Sequence, residues 1–259
     1  MNNFTIKPNK LKKILLTTIS ILSLIIIWTL ISINLNKEYL VPYPTTVIKS
    51  LIQIISSKSF FYIIGSTLKR ALYSFVISFV FALILAIISN LSNTAKFLIN
   101  PIINILKTIP TIAIILVSLI YVTSDKSPIL VGIVILLPLM YSAFLNTLNQ
   151  VDPKLIELSK LYKVSIFSRI KHLYIPSILN TIITQSKSCL SLAIKLTIAS
   201  EVLAHTKNSI GIQMQIAKNF IEMDKIFAWT IITILLSLLF ELIIDVVFII
   251  LKRRKKVWI

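Results

Sequence analysis

Glycine is nearly missing from this sequence: three of 259 residues, where average usage of roughly 7% would supply about 18. A glycine-rich phosphate cradle is excluded. No G-x-x-x-x-G-K-[ST] run occurs either, so the chain lacks the P-loop signature of nucleotide binding. Cysteine is limited to Cys189, which rules out a disulfide scaffold and reads as an inert small apolar side chain. Histidine is limited to His172 and His205, too few for a structural metal site. No cofactor is expected. Charge is sparse and one-sided: 14% of residues are charged, with 27 Lys and Arg against nine Asp and Glu, a net +18. A soluble domain averages about 25% charged and roughly 45–50% apolar residues. Here 56% are hydrophobic and the mean hydropathy is +0.92. A water-soluble domain and a disordered chain are both excluded.

What is present is a series of long apolar runs. A helix needs about 20 such residues to cross a bilayer. The runs fall at Ile14–Ile33, Tyr62–Ile88, Phe97–Val122, Ile129–Leu148, Ser177–Ala204 and Ile226–Leu251. They are far longer than strands, and lipid tolerates only helices or closed barrels. The first run follows Lys7, Lys10, Lys12 and Lys13 but is too long for a signal peptide and lacks a small-residue cleavage site. It is expected to be a retained anchor. Val47, Ile48, Leu51, Ile52 and Ile55 recur at helical spacing and predict a surface helix before the second span. Tyr39, Tyr43, Phe60, Phe61, Tyr62 and Tyr121 suit an interfacial belt.

Six spans place both termini on one side. With the N-terminus inside, fifteen Lys and Arg are cytoplasmic, nine are external (counting Lys69 and Arg70 at the polar start of the second run), and Lys107, Lys187 and Lys195 lie within spans. This bias favours cytoplasmic termini in a cell (plasma or inner) membrane. The Lys252–Lys256 tail reads as a stop-transfer anchor, and no nucleic-acid partner is expected.

Between the fourth and fifth spans, residues 149–176 are too polar to cross. Asp152 is placed to cap a helix and Pro153 suits its first turn. Leu155, Leu158, Leu161 and Tyr162 follow at helical spacing. Ser165 is placed to cap a second helix, which Pro176 is expected to stop. Physical chemistry leaves two readings open: helices resting on membrane lipid, or a docking element for a soluble partner.

Several segments resemble one family. Glu157-Leu158-Ser159-Lys160-Leu161-Tyr162-Lys163, continuing to Leu173-Tyr174-Ile175-Pro176, is similar to the cytoplasmic loop motif of binding-protein-dependent ABC importer permeases. Glu157 and Pro176 have the motif's separation. Leu158 and Ser159 stand where that motif has alanines, and Lys163 stands where it has glycine. Val41-Pro42-Tyr43-Pro44, Thr67-Leu68-Lys69-Arg70, Asn100-Pro101, Ile109-Pro110-Thr111-Ile112-Ala113, Val151-Asp152-Pro153, Glu201, Ser209-Ile210-Gly211 and Asp224–Ala228 resemble stretches of the nitrate/sulfonate/taurine-type subgroup, in order over residues 40–256.

The resemblance implies an all-α polytopic membrane protein with six transmembrane helices, like the permeases of type I ABC importers. Residues 1–59 would form an anchor helix and external amphipathic segment, and 60–259 a five-helix permease core. The permease would carry no catalytic residues. It would work with cytoplasmic ATPase subunits, an external solute-binding protein and a second permease copy. The coupling loop would use Asp152, Pro153, Glu157, Ser159, Lys163 and Pro176; the bulk of Leu158, Ser159 and Lys163 implies shallower docking or a wider groove on the partner. Gly211 would be a motif glycine. The solute would be a small anion (sulfonate, nitrate or taurine-like) or a vitamin precursor.

Charges inside spans are costly and so are functional candidates. Lys187 and Asp245 are expected to snorkel or pair, and Glu241 shares a helical face with Asp245. Lys107, Lys195 and Glu201 are open to two readings: a Lys195–Glu201 structural pair, or a pathway wall attracting an anion through Lys195 or Lys107. The alternative function is a polytopic enzyme acting on a lipid or head group, for which Glu201, His205, Glu222 and Asp224 are the only crude cluster.

Overall fold

The computed structural model describes residues 10–255, all of whose regular elements are helical. The basic run before the first span starts at Lys7 and the basic tail ends at Lys256; both ends lie outside the described residues. The helices are α1 (Lys10–Leu35), α2 (Pro44–Ile55), α3 (Phe60–Leu91), α4 (Asn93–Thr108), α5 (Thr111–Tyr121), α6 (Ser127–Leu148), α7 (Pro153–Leu161) and α8 (Ile166–Arg169). A π-helical turn (Ile170–Tyr174) leads into α9 (Ile175–Ala204), followed by α10 (Ile210–Asn219) and α11 (Met223–Lys255).

By length and composition, Leu15–Leu35, Phe60–Leu91, Ser127–Leu148 and Met223–Phe248 are apolar enough to cross a bilayer. The expected third span is not one straight helix. It is α4 and α5, bent by 100° between them, and counts as a fifth span if taken together. Ile109 precedes a proline and is extended, at φ −69° and ψ 126°. Pro110 has no N–H to continue the helix and becomes the N-cap of α5. The fifth expected span lies in α9, whose 30 residues reach about 45 Å at 1.5 Å per residue. Its many polar residues keep it out of the apolar class.

The chain forms two compact units. One comprises the residues up to Ser57 together with Ile216–Thr230. In it, Trp28 Nε1 donates to Pro42 O at 3.1 Å and Ser32 Oγ to Val41 O at 3.0 Å, which fastens the Val41–Pro44 stretch to α1. Pro44 occupies the first turn of α2, where its missing N–H is harmless. Ser50 hydrogen-bonds Asp224, and Trp28 stacks on Phe227 with centroids 5.4 Å apart.

The other unit comprises Lys58–Gln215 and the residues from Ile231 on. Its centre is α3 against α6, with α9 packed on both. From Ala71 on, the buried residues of α3 are Ala71, Ser74, Ser78, Ala82, Ala86 and Ser89, all small and spaced at helical period. In lipid, apolar side chains gain little by leaving their surroundings. Helices instead associate through close backbone approach and hydrogen bonds, which small residues permit. Gly132 of α6 meets this stripe: a Cβ there would stand 2.5 Å from Ser74 Cβ. Phe79 packs edge-on against the buried Phe144 at 5.7 Å. Ser118 of α5 lies 2.5 Å from Ser127 of α6, which faces Ser200 of α9.

Candidate functional site

Two places gather the sequence-marked residues. The first is the end of α9. His205 turns left-handed there, at φ 50°, and Thr206 N–H closes the helix onto Glu201 O. Asn208 is also left-handed, at φ 52°, and the Ser209 hydroxyl accepts from Ile212 N at 3.1 Å to start α10. The chain thereby folds back over the Glu201 side chain, which is fully buried.

Glu201 accepts from Thr67 Oγ1 and from Arg70 Nη1, each at 3.0 Å, and from Gly211 N at 3.3 Å. Thr67 also accepts from Ile210 N at 3.0 Å. Arg70 uses its second nitrogen on Asp125 Oδ1 at 2.9 Å and on Lys207 O at 3.4 Å. A buried carboxylate is tolerable only when its lone pairs are taken by donors and its charge is opposed, and both conditions hold here. Gly211 is required by space. A Cβ on it would overlap Glu201 Cβ and stand 2.7 Å from Val202 N and 2.8 Å from Ile198 O. The motif residues Thr67, Arg70, Glu201 and Gly211 thus converge on one carboxylate. Asp125 joins them through Arg70, and its position in the sequence carries no signal for this.

The Lys195–Glu201 structural pair is not formed. Six residues of helix put the two on different faces. Glu201 faces α3, while Lys195 is exposed and has no carboxylate partner among the described residues. Lys107 is likewise exposed and has no ion-pair partner among the described residues; it sits in the last turn of α4, where a cation suits the helix dipole. Lys187 does pair with Asp245. The candidate enzyme cluster does not stand as free chemistry: Glu201 is enclosed, Glu222 pairs with Lys225 at 2.6 Å, Asp224 takes Ser50, and His205 Nδ1 lies 3.1 Å from Val202 O.

The second place is the α6–α9 connection. Asp152 Oδ1 accepts from Lys154 N at 2.9 Å and caps α7, with Pro153 in the first turn. Ser165 caps α8 by accepting from Ser168 N at 3.3 Å. Lys163 is left-handed at φ 50°: its N–H reaches Lys160 O at 3.0 Å, and Val164 N–H reaches Ser159 O at 2.9 Å. These two bonds form a Schellman ending, whose left-handed residue is most often glycine. Glycine at the matching motif position is therefore explained by backbone conformation as well as by side-chain size. Pro176 does not stop a helix as expected. The π-helical turn shifts register, with Ile175 N–H bonded to Ile170 O, and Pro176 falls in the first turn of α9.

Neither α7 nor α8 buries a residue. Leu161 is 78% exposed, Tyr162 79% and Phe167 76%; Leu155, Leu158 and Ile166 are exposed as well. Glu157 is exposed beside them, with no partner among the described residues.

Residues 78–257 match the binding-protein-dependent transport system inner membrane component family. The chain belongs to this family. A curated relative is the putative aliphatic sulfonates transport permease protein SsuC of Bacillus subtilis (strain 168). It is 23% identical over 214 residues, which cover 81% of this chain and 76% of that protein. The permease is therefore a multi-pass membrane component of a transport system. In such systems ATP hydrolysis lies on a separate subunit, and the permease works with an ABC ATPase and a binding protein.

Proposed function

We propose that this permease forms the solute pathway of an ATP-driven importer for a small organic anion of the sulfonate class. The α7–α8 connection is its docking element for the ATPase. One observation carries the coupling: six large apolar side chains and an unpaired Glu157 stand exposed on a short, well-capped helical segment. An apolar patch rimmed by polar residues marks a protein or membrane contact, and the likeness of this segment to the permease loop motif favours the protein. The sulfonate class is suggested by the relative's name.

In this reading the chain crosses six times, with α9 as the fifth crossing and both termini in the cytoplasm. The exposed face of α9 carries Asn180, Thr184, Ser188 and Lys195 at helical spacing. Such a face inside a membrane favours water or protein over lipid. The solute path runs along it, and a second copy of the chain supplies the opposite wall. Closure of the ATPase pair would push α7 and tilt α9, to which it is joined through α8 and the π-helical turn.

The test is reconstitution in vesicles with the ATPase and the binding protein, measuring ethanesulfonate uptake. Uptake should require ATP, and Glu157→Lys should abolish it while the protein still inserts and folds. Undiminished uptake by Glu157→Lys would sink the coupling role. Uptake without ATP would sink the importer reading.

A further inference from the structure

A cleft of about 300 Å³ opens between α4 and α6, at the lower end of the size range of small-ligand pockets. Lys96, Asn100, Asn104 and Lys107 line it from α4, spaced so that they share one helical face. Tyr141, Ser142 and Asn146 line it from α6, and Asn149 from the C-cap of that helix. This polar seam is unusual in a chain that is 56% hydrophobic. The outward face of α4 is the opposite in character, with Phe97, Leu98, Ile102 and Ile105 exposed.

The charge of the cleft has one sign. No carboxylate lines it, and neither Lys96 nor Lys107 has an ion-pair partner among the described residues. Eleven residues separate the two lysines, about 16 Å along the helix at 1.5 Å per residue, so they bracket the cleft from its ends. Asn100 lies in the middle. Its Oδ1 accepts from the buried Tyr141 hydroxyl at 2.8 Å, and that hydroxyl also lies 2.9 Å from Ser89 Oγ. With the oxygen engaged, the asparagine amide is left as a donor, and no partner for it occurs among the described residues. Two unpaired ammonium groups and free amide donors, with no opposing acid, match the needs of an oxyanion.

We infer that the α4–α6 cleft is a binding site for a small oxyanion: sulfonate, sulfate or phosphate. Two sources share this chemistry, the free solute and the head group of an anionic lipid. The inference rests on the proposed anion transport only for the choice of solute.

The test uses the full-length permease in nanodiscs of neutral phosphatidylcholine, titrated with sodium sulfate and sodium ethanesulfonate in a calorimeter. Saturable binding is expected, weakened by about tenfold in Lys96→Gln and in Lys107→Gln. The Lys96→Arg/Lys107→Arg protein should retain it, and the charge control Lys58→Gln should be unchanged. Should the glutamine variants misfold, Asn104→Leu provides the same loss without removing charge. A second arm adds phosphatidylglycerol and reads retained lipid by native mass spectrometry. Retention lost in Lys96→Gln/Lys107→Gln supports the site with a head group as its occupant. The inference is overturned if neither anion nor lipid binds the wild type, or if binding is the same in the glutamine variants. Binding without ATP-driven uptake would leave the site standing and count against the transport reading. Uptake without binding would do the reverse.

Discussion

Glu201 and Glu157 are glutamates on helices of the same compact unit, and their surroundings are opposite. Glu201 is fully buried and accepts from a threonine, an arginine and a backbone amide drawn from α3 and α10. Glu157 is exposed on α7, among exposed leucines, with no partner among the described residues. A buried carboxylate whose acceptors are filled has no capacity left for a ligand; it joins elements of the fold. An exposed carboxylate on a capped helix contributes little to stability and is free to meet another protein. The two sites separate the part of the permease that holds itself together from the part offered outward.

The largest expected effect is at the buried end. Arg70→Ala should destabilise the detergent-solubilised protein by about 3–5 kcal/mol, because it strands a buried carboxylate. Thermal unfolding measures this. The double change Arg70→Met/Glu201→Leu should be milder than Arg70→Ala, since no charge is left alone. If the double variant is the worse of the two, the network serves something other than charge satisfaction. Gly211→Ala comes next, at about 1–3 kcal/mol, from the overlap its Cβ would make with Glu201 and the α9 backbone.

At the exposed end, Glu157→Lys should leave the unfolding temperature within error while ATP-driven uptake disappears. A large stability loss there would erase the contrast between the two glutamates. Asp152→Ala should cost about 1 kcal/mol through the lost cap of α7. The last effect is equally small and carries the opposite sign. Lys163→Gly should stabilise the loop by about 1 kcal/mol, because glycine adopts the left-handed conformation without the Cβ penalty. Hydrogen exchange of the α7 amides reads both of these local changes.

Much of the loop was legible in advance. Asp152, Pro153 and Ser165 act on neighbours two or three residues away, so their roles follow from local chemistry. Pro176 was misleading for the same reason. Proline blocks one hydrogen bond, and whether that ends a helix depends on whether the register can shift around it, as the π-helical turn allows. Ile109-Pro110 was marked as a motif, but the 100° bend it produces was not foreseen. The apolar run crosses that point without interruption, and hydropathy is blind to backbone direction.

The charges divide in a similar way. Composition alone determined that this is a helical membrane protein, because a chain this apolar has few ways to satisfy its backbone in lipid. The order of short motifs carried the family. Only the tertiary structure decided which of the charges set among apolar runs are spent and which are available. Glu201 takes Arg70, 131 residues away, while Lys195, six residues away, has no ion-pair partner among the described residues because the helix turns it to another face. Lys96 and Lys107 became a pair of interest only when α6 brought its own asparagines alongside. Pairing across a fold depends on which helix faces meet, and that is set by the packing of α3, α6 and α9 rather than by distance along the chain.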